Sequence, residues 1–136
     1  MTKEQVRSQI DAVGIIPAAR VATAEDALFA AETVALGGIP IVELPMTVSG
    51  VFDVISRLRR EQPGMVVGAG TVLDLQGAKR CLDAGAMFLT SPGLVPEVVE
   101  YAAAADTVAI PGALTPTEVL RALGAGADYI KIFPCS

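Results

Sequence analysis

Residues 39–71 read IPIVELPMTVSGVFDVISRLRREQPGMVVGAGT, and this stretch decides the fold. It opens on a short apolar run, IPIVEL from Ile39, and closes on another, MVVGAGT from Met65. Near-continuous apolar runs of this length are what a parallel strand buried on both faces requires. Between them Val51, Ile55 and Leu58 recur at helical spacing, the basic cluster Arg57, Arg59 and Arg60 marks the solvated end of the helix, and Gly64 stops it. A strand, a helix and a second strand in the same direction form one right-handed crossover unit.

The same unit repeats on either side. Further strand-like runs are GIIPAAR from Gly14, MFLTSPG from Met87, TVAIPG from Thr107 and YIKIFP from Tyr129. Helix starts lie between them: TAED from Thr23 resembles a capping box, and TPTE from Thr115 is a full one with Pro116 at the first helical position. Gly37-Gly38, Gly85 and Gly124 mark helix ends. A leading helix followed by six alternating strands and their helices fits a doubly wound sheet or a (β/α)8 TIM barrel. The even unit of about two dozen residues favours the α/β barrel. Such a barrel needs about 200 residues or more. Residues 1–136 are therefore expected to form a single domain, the N-terminal portion of a barrel, covering the leading helix and roughly strands one to six in an open arc. Ile16, Ala18, Val67 and Ala69 are expected to line its interior.

Composition narrows the chemistry. Hydrophobic residues make up 52% of the chain, which supports a packed core. A net charge of −5 argues against a nucleic-acid partner. No apolar stretch reaches the length of a membrane span, and the first residues lack an apolar signal core, so a cytoplasmic location is expected. The chain has no histidine, which removes Ser-His-Asp and Cys-His catalysis and makes an ordinary zinc site a poor expectation. Cys81 and Cys135 have no metal-ligand spacing and read as reduced thiols.

Lys3 and Lys79 read as solvated, whereas Lys131 stands inside an apolar strand. Period-two alternation puts Tyr129, Lys131 and Phe133 on one face, and Ile130 and Ile132 on the other. If the isoleucines pack against helices, Lys131 points into the barrel. Burial then lowers its pKa and makes it a nucleophile toward a carbonyl. The other reading is an edge lysine reaching out to water. Glu43 shares a face with Ile41 in the second run, opposite the sixth in an eight-strand barrel. It is either a proton carrier across the mouth from Lys131 or the partner of Arg20 at the rim. Arg20, Gly70, Thr71 and Pro92 all fall at strand C-termini, where barrels place their active sites. A glycine there admits a ligand close to the backbone, and GAGT lacks the GxGxxG fingerprint of a dinucleotide site.

Taken in order, GGIPIVELPMT, VVGAGTVLD, FLTSPGL, IPGALTPTE and IKIFP resemble the successive strand-end motifs of the 2-keto-3-deoxy-6-phosphogluconate (KDPG) aldolase family, also called KDPG/KHG aldolases. The resemblance spans nearly the whole chain from Gly14. It implies a trimeric class I aldolase with a (β/α)8 barrel, no metal or other cofactor, and a small 2-keto acid substrate held as a covalent imine. Position by position, Lys131 matches the Schiff-base lysine, Glu43 the general acid/base, Thr71 a carboxylate-binding threonine, and Pro92 and Phe133 pocket-lining residues. Where many members carry an arginine ligand this chain has Thr47, and Arg20 resembles an arginine other members carry at the first strand. The implied reaction cleaves KDPG to pyruvate and glyceraldehyde 3-phosphate. Alternative substrates are 4-hydroxy-2-oxoglutarate (KHG) and 2-keto-3-deoxy-6-phosphogalactonate. A reading of another class is a catalytically silent barrel serving as an assembly subunit.

Overall fold

A computed structural model describes residues 1–135. In chain order the elements are α1 (Lys3–Val13), α2 (Ala24–Leu36), β1 (Ile41–Pro45), α3 (Val51–Glu61), β2 (Val66–Gly70), α4 (Leu75–Asp83), β3 (Phe88–Thr90), α5 (Pro96–Ala104), β4 (Val108–Ile110), β5 (Gly112–Ala113), α6 (Pro116–Gly124) and β6 (Lys131–Ile132). The strands pair in parallel and strictly in sequence, β1 to β4 in one sheet and β5 with β6 in a second. A doubly wound sheet reverses its strand order and carries helices on both faces. Here α2, α3, α4 and α5 pack on one face only, through Ala27, Ala31, Ile55, Leu58, Ala78, Cys81, Val98 and Ala102. This is the step of a TIM barrel, taken repeatedly. Among the described residues the first and last strand positions do not pair with each other, so the sheet stays open.

Two expected strands are shortened by proline. The run from Gly14 is reduced to a single parallel bridge of Ala18 with Glu43, in which Ala19 donates to the Glu43 carbonyl at 2.9 Å and Glu43 donates to the Pro17 carbonyl at 2.8 Å. Pro17 has no N–H with which to extend the ladder. The run from Thr107 is split at Pro111 into β4, which pairs with β3, and β5, which pairs with β6.

The inner face differs from expectation in β2. Val67 and Ala69 pack outward against the helices, and Val66, Gly68 and Gly70 face inward. The inward glycines are there because other groups occupy their side-chain space. A β-carbon on Gly68 would overlap the Phe88 ring, and one on Gly70 would overlap the Glu43 carboxylate. Ile16 does pack on the inner cluster, and Ala18 is exposed.

α1 fills the end of the barrel where strands begin. Val6 and Ile10 pack with Ile41, Val66, Phe88 and Val108. The Tyr129 hydroxyl donates to Asp11 at 2.7 Å, and Lys3 pairs with Asp128 at 3.0 Å, so Lys3 is tied down rather than solvated. Thr115 and Glu118 form the expected reciprocal capping box, whereas at Thr23 only the threonine oxygen caps, accepting from Asp26 N–H at 3.1 Å. The left-handed residue after α6 is Gly126 (φ 104°), not Gly124, which ends the helix itself.

Candidate active site

The strand C-termini surround a cavity of about 550 Å³ lined by Arg20, Val21, Ala22, Glu43, Pro45, Thr47, Thr71, Pro92, Lys131 and Phe133. Seven of these were named from sequence: Arg20, Glu43, Thr47, Thr71, Pro92, Lys131 and Phe133. The eighth expectation, Gly70, is not in the lining. The space beside its α-carbon is taken by the Glu43 side chain and is not open to a ligand.

Glu43 is 7% exposed and sits mid-strand in β1, with backbone bonds to the Ala18 segment on one side and register with Gly68 on the other. Ile41 shares its inward face and packs below it in the inner cluster. The Glu43 Oε1 accepts a hydrogen bond from the Thr90 hydroxyl, and this, not Arg20, is its side-chain partner. Thr90 is 5% exposed, and the sequence reading missed it. The signal was available: alternation from inward Phe88 places Thr90 on the same face, a lone hydroxyl in an apolar strand.

Lys131 lies on the cavity side of β6. It lines both the mouth and a smaller space beneath it, shared with Ile16, Glu43, Thr90 and Ile110. Its ammonium lies over the Phe133 ring at 5.0 Å from the centroid, a cation–π contact between residues two apart on one strand face. Its backbone N–H donates to the Pro111 carbonyl at 2.9 Å, which registers β6 on β5. The isoleucines do not supply the expected counterweight: Ile132 is 54% exposed. Lysine orientation is set by the strand register instead.

At the rim, Thr71 follows β2 in the left-handed region with φ 56°, a conformation a β-branched residue adopts at a cost of roughly 1–3 kcal/mol. The next N–H, of Val72, donates to the Thr90 carbonyl at 3.1 Å, and Val72 is fully buried, so the turn is fixed from behind. After β3, the Ser91 hydroxyl donates to the Gly93 carbonyl at 2.6 Å and shapes the turn at Pro92. Gly112 lets β5 approach that turn, because a β-carbon there would overlap the Pro92 carbonyl. A primary amine and a carboxylate thus share a cavity with a hydroxyl and a guanidinium at its edge. An amine can form an imine with a ketone, a carboxylate can move protons beside it, and an arginine suits an anionic substrate group.

A profile of the KDPG and KHG aldolases matches residues 6–136. The chain belongs to the KDPG and KHG aldolase family. The 2-dehydro-3-deoxy-phosphogluconate aldolase of Treponema pallidum (strain Nichols) is 34% identical over 125 residues, which cover 92% of this chain and 60% of that protein. Among solved structures, the Zymomonas mobilis ZM4 2-keto-3-deoxy-6-phosphogluconate aldolase with 3-phosphoglycerate matches with a TM-score of 0.85 at 30% identity, covering 97% of this chain and 63% of that one. The Legionella pneumophila KDPG aldolase, with pyruvate captured at low pH as a covalent carbinolamine intermediate, matches with a TM-score of 0.80 at 31% identity over 88% of this chain and 58% of that one. This member of the KDPG and KHG aldolases therefore spans about three fifths of the length of these relatives.

Proposed function

We propose that the chain carries the imine-forming half-site of a class I aldolase that cleaves a 2-keto-3-deoxy sugar acid, with KDPG as the leading substrate. The observation that carries this reading is the shared cavity of Lys131 and Glu43 at the strand C-termini. Lys131 Nζ attacks the 2-keto carbon, and loss of water from the carbinolamine leaves a protonated imine. Glu43, directly or through a water, takes the proton of the C4 hydroxyl. The C3–C4 bond breaks, its electron pair passes to the imine nitrogen as an enamine, and the aldehyde departs. Glu43 returns its proton to C3, and water releases pyruvate and the free amine. With KDPG the aldehyde is glyceraldehyde 3-phosphate, and the route needs no metal.

Thr71 and Arg20 are assigned to the substrate carboxylate or phosphate, Thr47 to the wall where an arginine is absent, and Pro92 and Phe133 to packing around the imine. 4-Hydroxy-2-oxoglutarate and 2-keto-3-deoxy-6-phosphogalactonate share the reacting carbons and are the competing substrates. A cytoplasmic homotrimer is the form this reading implies, and sedimentation measures the trimer directly.

Borohydride reduction in the presence of pyruvate tests the assignment. Mass spectrometry is expected to find one adduct, on Lys131, and none on a Lys131→Ala variant. Lys79→Ala, exposed on α4, is expected to trap normally. An adduct that survives Lys131→Ala, or no adduct on the unsubstituted chain, overturns the reading. The second outcome would favour a silent barrel.

A further inference from the structure

Glu43 and Thr90 belong to β1 and β3, strands that are not neighbours. β2 runs between them. Two strand spacings of about 4.8 Å separate their backbones, too far for most side-chain pairs to meet over an intervening side chain. They meet because β2 is bare on that face. Glu43 is in register with Gly68, and its carboxylate lies in the space a side chain on Gly70 would fill. The carboxylate leans across the glycines and accepts the Thr90 hydroxyl on Oε1. Both groups are buried, and an ionised carboxylate has no proton of its own to donate, so the hydroxyl is the donor.

Building on the aldolase reading above, we propose that Thr90 is a positioning residue for proton transfer: its hydroxyl pins Glu43 Oε1 over the β2 glycines and leaves Oε2 to carry the proton. The bond is charge-assisted while Glu43 is ionised and persists when Oε2 takes the proton, because Oε1 remains an acceptor throughout. Without it the carboxylate can rotate about its last torsions within the cavity it shares with Lys131. Trapping reports on the Lys131 amine at its end point, whereas methyl-proton exchange requires a placed base in every turnover, so the two readouts separate.

Thr90→Val keeps the shape and removes the donor, Thr90→Ala removes it without any risk of crowding, and Thr90→Ser keeps it. Each variant of the full chain is checked for a cooperative melt. It is then assayed for pyruvate trapping by borohydride and for exchange of the pyruvate methyl protons into deuterated water, followed by NMR. In Thr90→Val and Thr90→Ala, trapping is expected to stay within about twofold, while the exchange kcat falls by about 10²-fold at an unchanged KM, the scale of a misplaced catalytic group. Thr90→Ser is expected to restore exchange to within a few fold. Unchanged exchange in both donor-free variants overturns the proposal. So does a parallel loss of trapping and exchange in whichever donor-free variant folds, or failure of serine to rescue. Absence of any adduct on the unsubstituted chain is a separate result, which overturns the aldolase reading and this role with it.

Discussion

Gly70 leaves vacant the volume that the Glu43 carboxylate occupies: a β-carbon on residue 70 would overlap that side chain. Gly70→Ala is therefore expected to displace the carboxylate or the strand, with a loss of about 1–3 kcal/mol from overpacking. Urea melts measure this directly. Gly93→Ala is the matched control, because no atom lies within 4 Å of where its β-carbon would stand. It is expected to change stability by less than about 0.5 kcal/mol.

Glu43→Gln keeps the size of the side chain and its acceptor oxygen for Thr90 but cannot take up a proton. Pyruvate trapping on Lys131 is expected to persist while methyl-proton exchange falls by about 10²-fold or more. Equal loss of both in stopped assays would give Glu43 a structural role only.

The two thiols are expected to react very differently. Cys81 is fully buried on the core-facing side of α4 and burial pushes its thiol up to about 11, while Cys135 is exposed. The thiolate is the reactive form, so at pH 8 roughly one Cys81 in a thousand is ionised in the folded chain. A disulfide reagent at pH 8 should titrate one thiol quickly and the second only after denaturant is added. The raised pKa also fixes a sign. The stabilisation from the neutral thiol is complete below pH 9 and is lost as pH rises toward about 11, where the folded thiol must ionise too. Subtracting the melting profile of Cys81→Ala isolates that loss.

Glu118 gives the opposite slope. The Thr115 hydroxyl, then the Leu114 and Thr115 N–H groups, hold its carboxyl below the usual carboxylate range. A depressed folded pKa means that the stabilisation is present at neutral pH and lost as pH falls through the folded value. Thermal melts of the parent should therefore drop more steeply on acidification than those of Glu118→Gln, and the two should converge at low pH.

Sequence reading worked where side chains carried the signal and failed where their absence did. In IPIVEL the charged residue exposes the alternation, so Glu43 and Ile41 were placed on one inward face, as found. In MVVGAGT every residue is small or apolar, as in any strand buried on both faces, so pattern alone points to Val67 and Ala69 as the inner set. Two of the three inward positions are glycines, whose reason for existing, the Phe88 ring and the Glu43 carboxylate, comes from other strands. Arg20, Thr71 and Pro92 were legible because a barrel concentrates its site at strand C-termini, whereas Thr47 and Phe133 came only from the family resemblance; all five line the cavity. Thr90 escapes the sequence reading because its partner lies 47 residues away on β1, a strand that β3 does not pair with. The shortening at Pro17 and Pro111 was readable from the missing N–H alone.

The plug at the strand N-termini has a consequence for the order of assembly. Consecutive strands pair as soon as each crossover is made, so most of the sheet can form from near-neighbour encounters. α1 is synthesised before the strands it packs on, yet its polar anchors, Asp128 and the Tyr129 hydroxyl, are separated from it by more than a hundred residues. During translation Val6 and Ile10 can be covered strand by strand as Ile41, Val66, Phe88 and Val108 emerge, but the polar ties cannot form until the segment through Tyr129 is out. Locking of α1 by Asp128 and Tyr129 is thus a late, long-range event. The interval before it is when the nascent chain is most open to chaperones and to wrong partners.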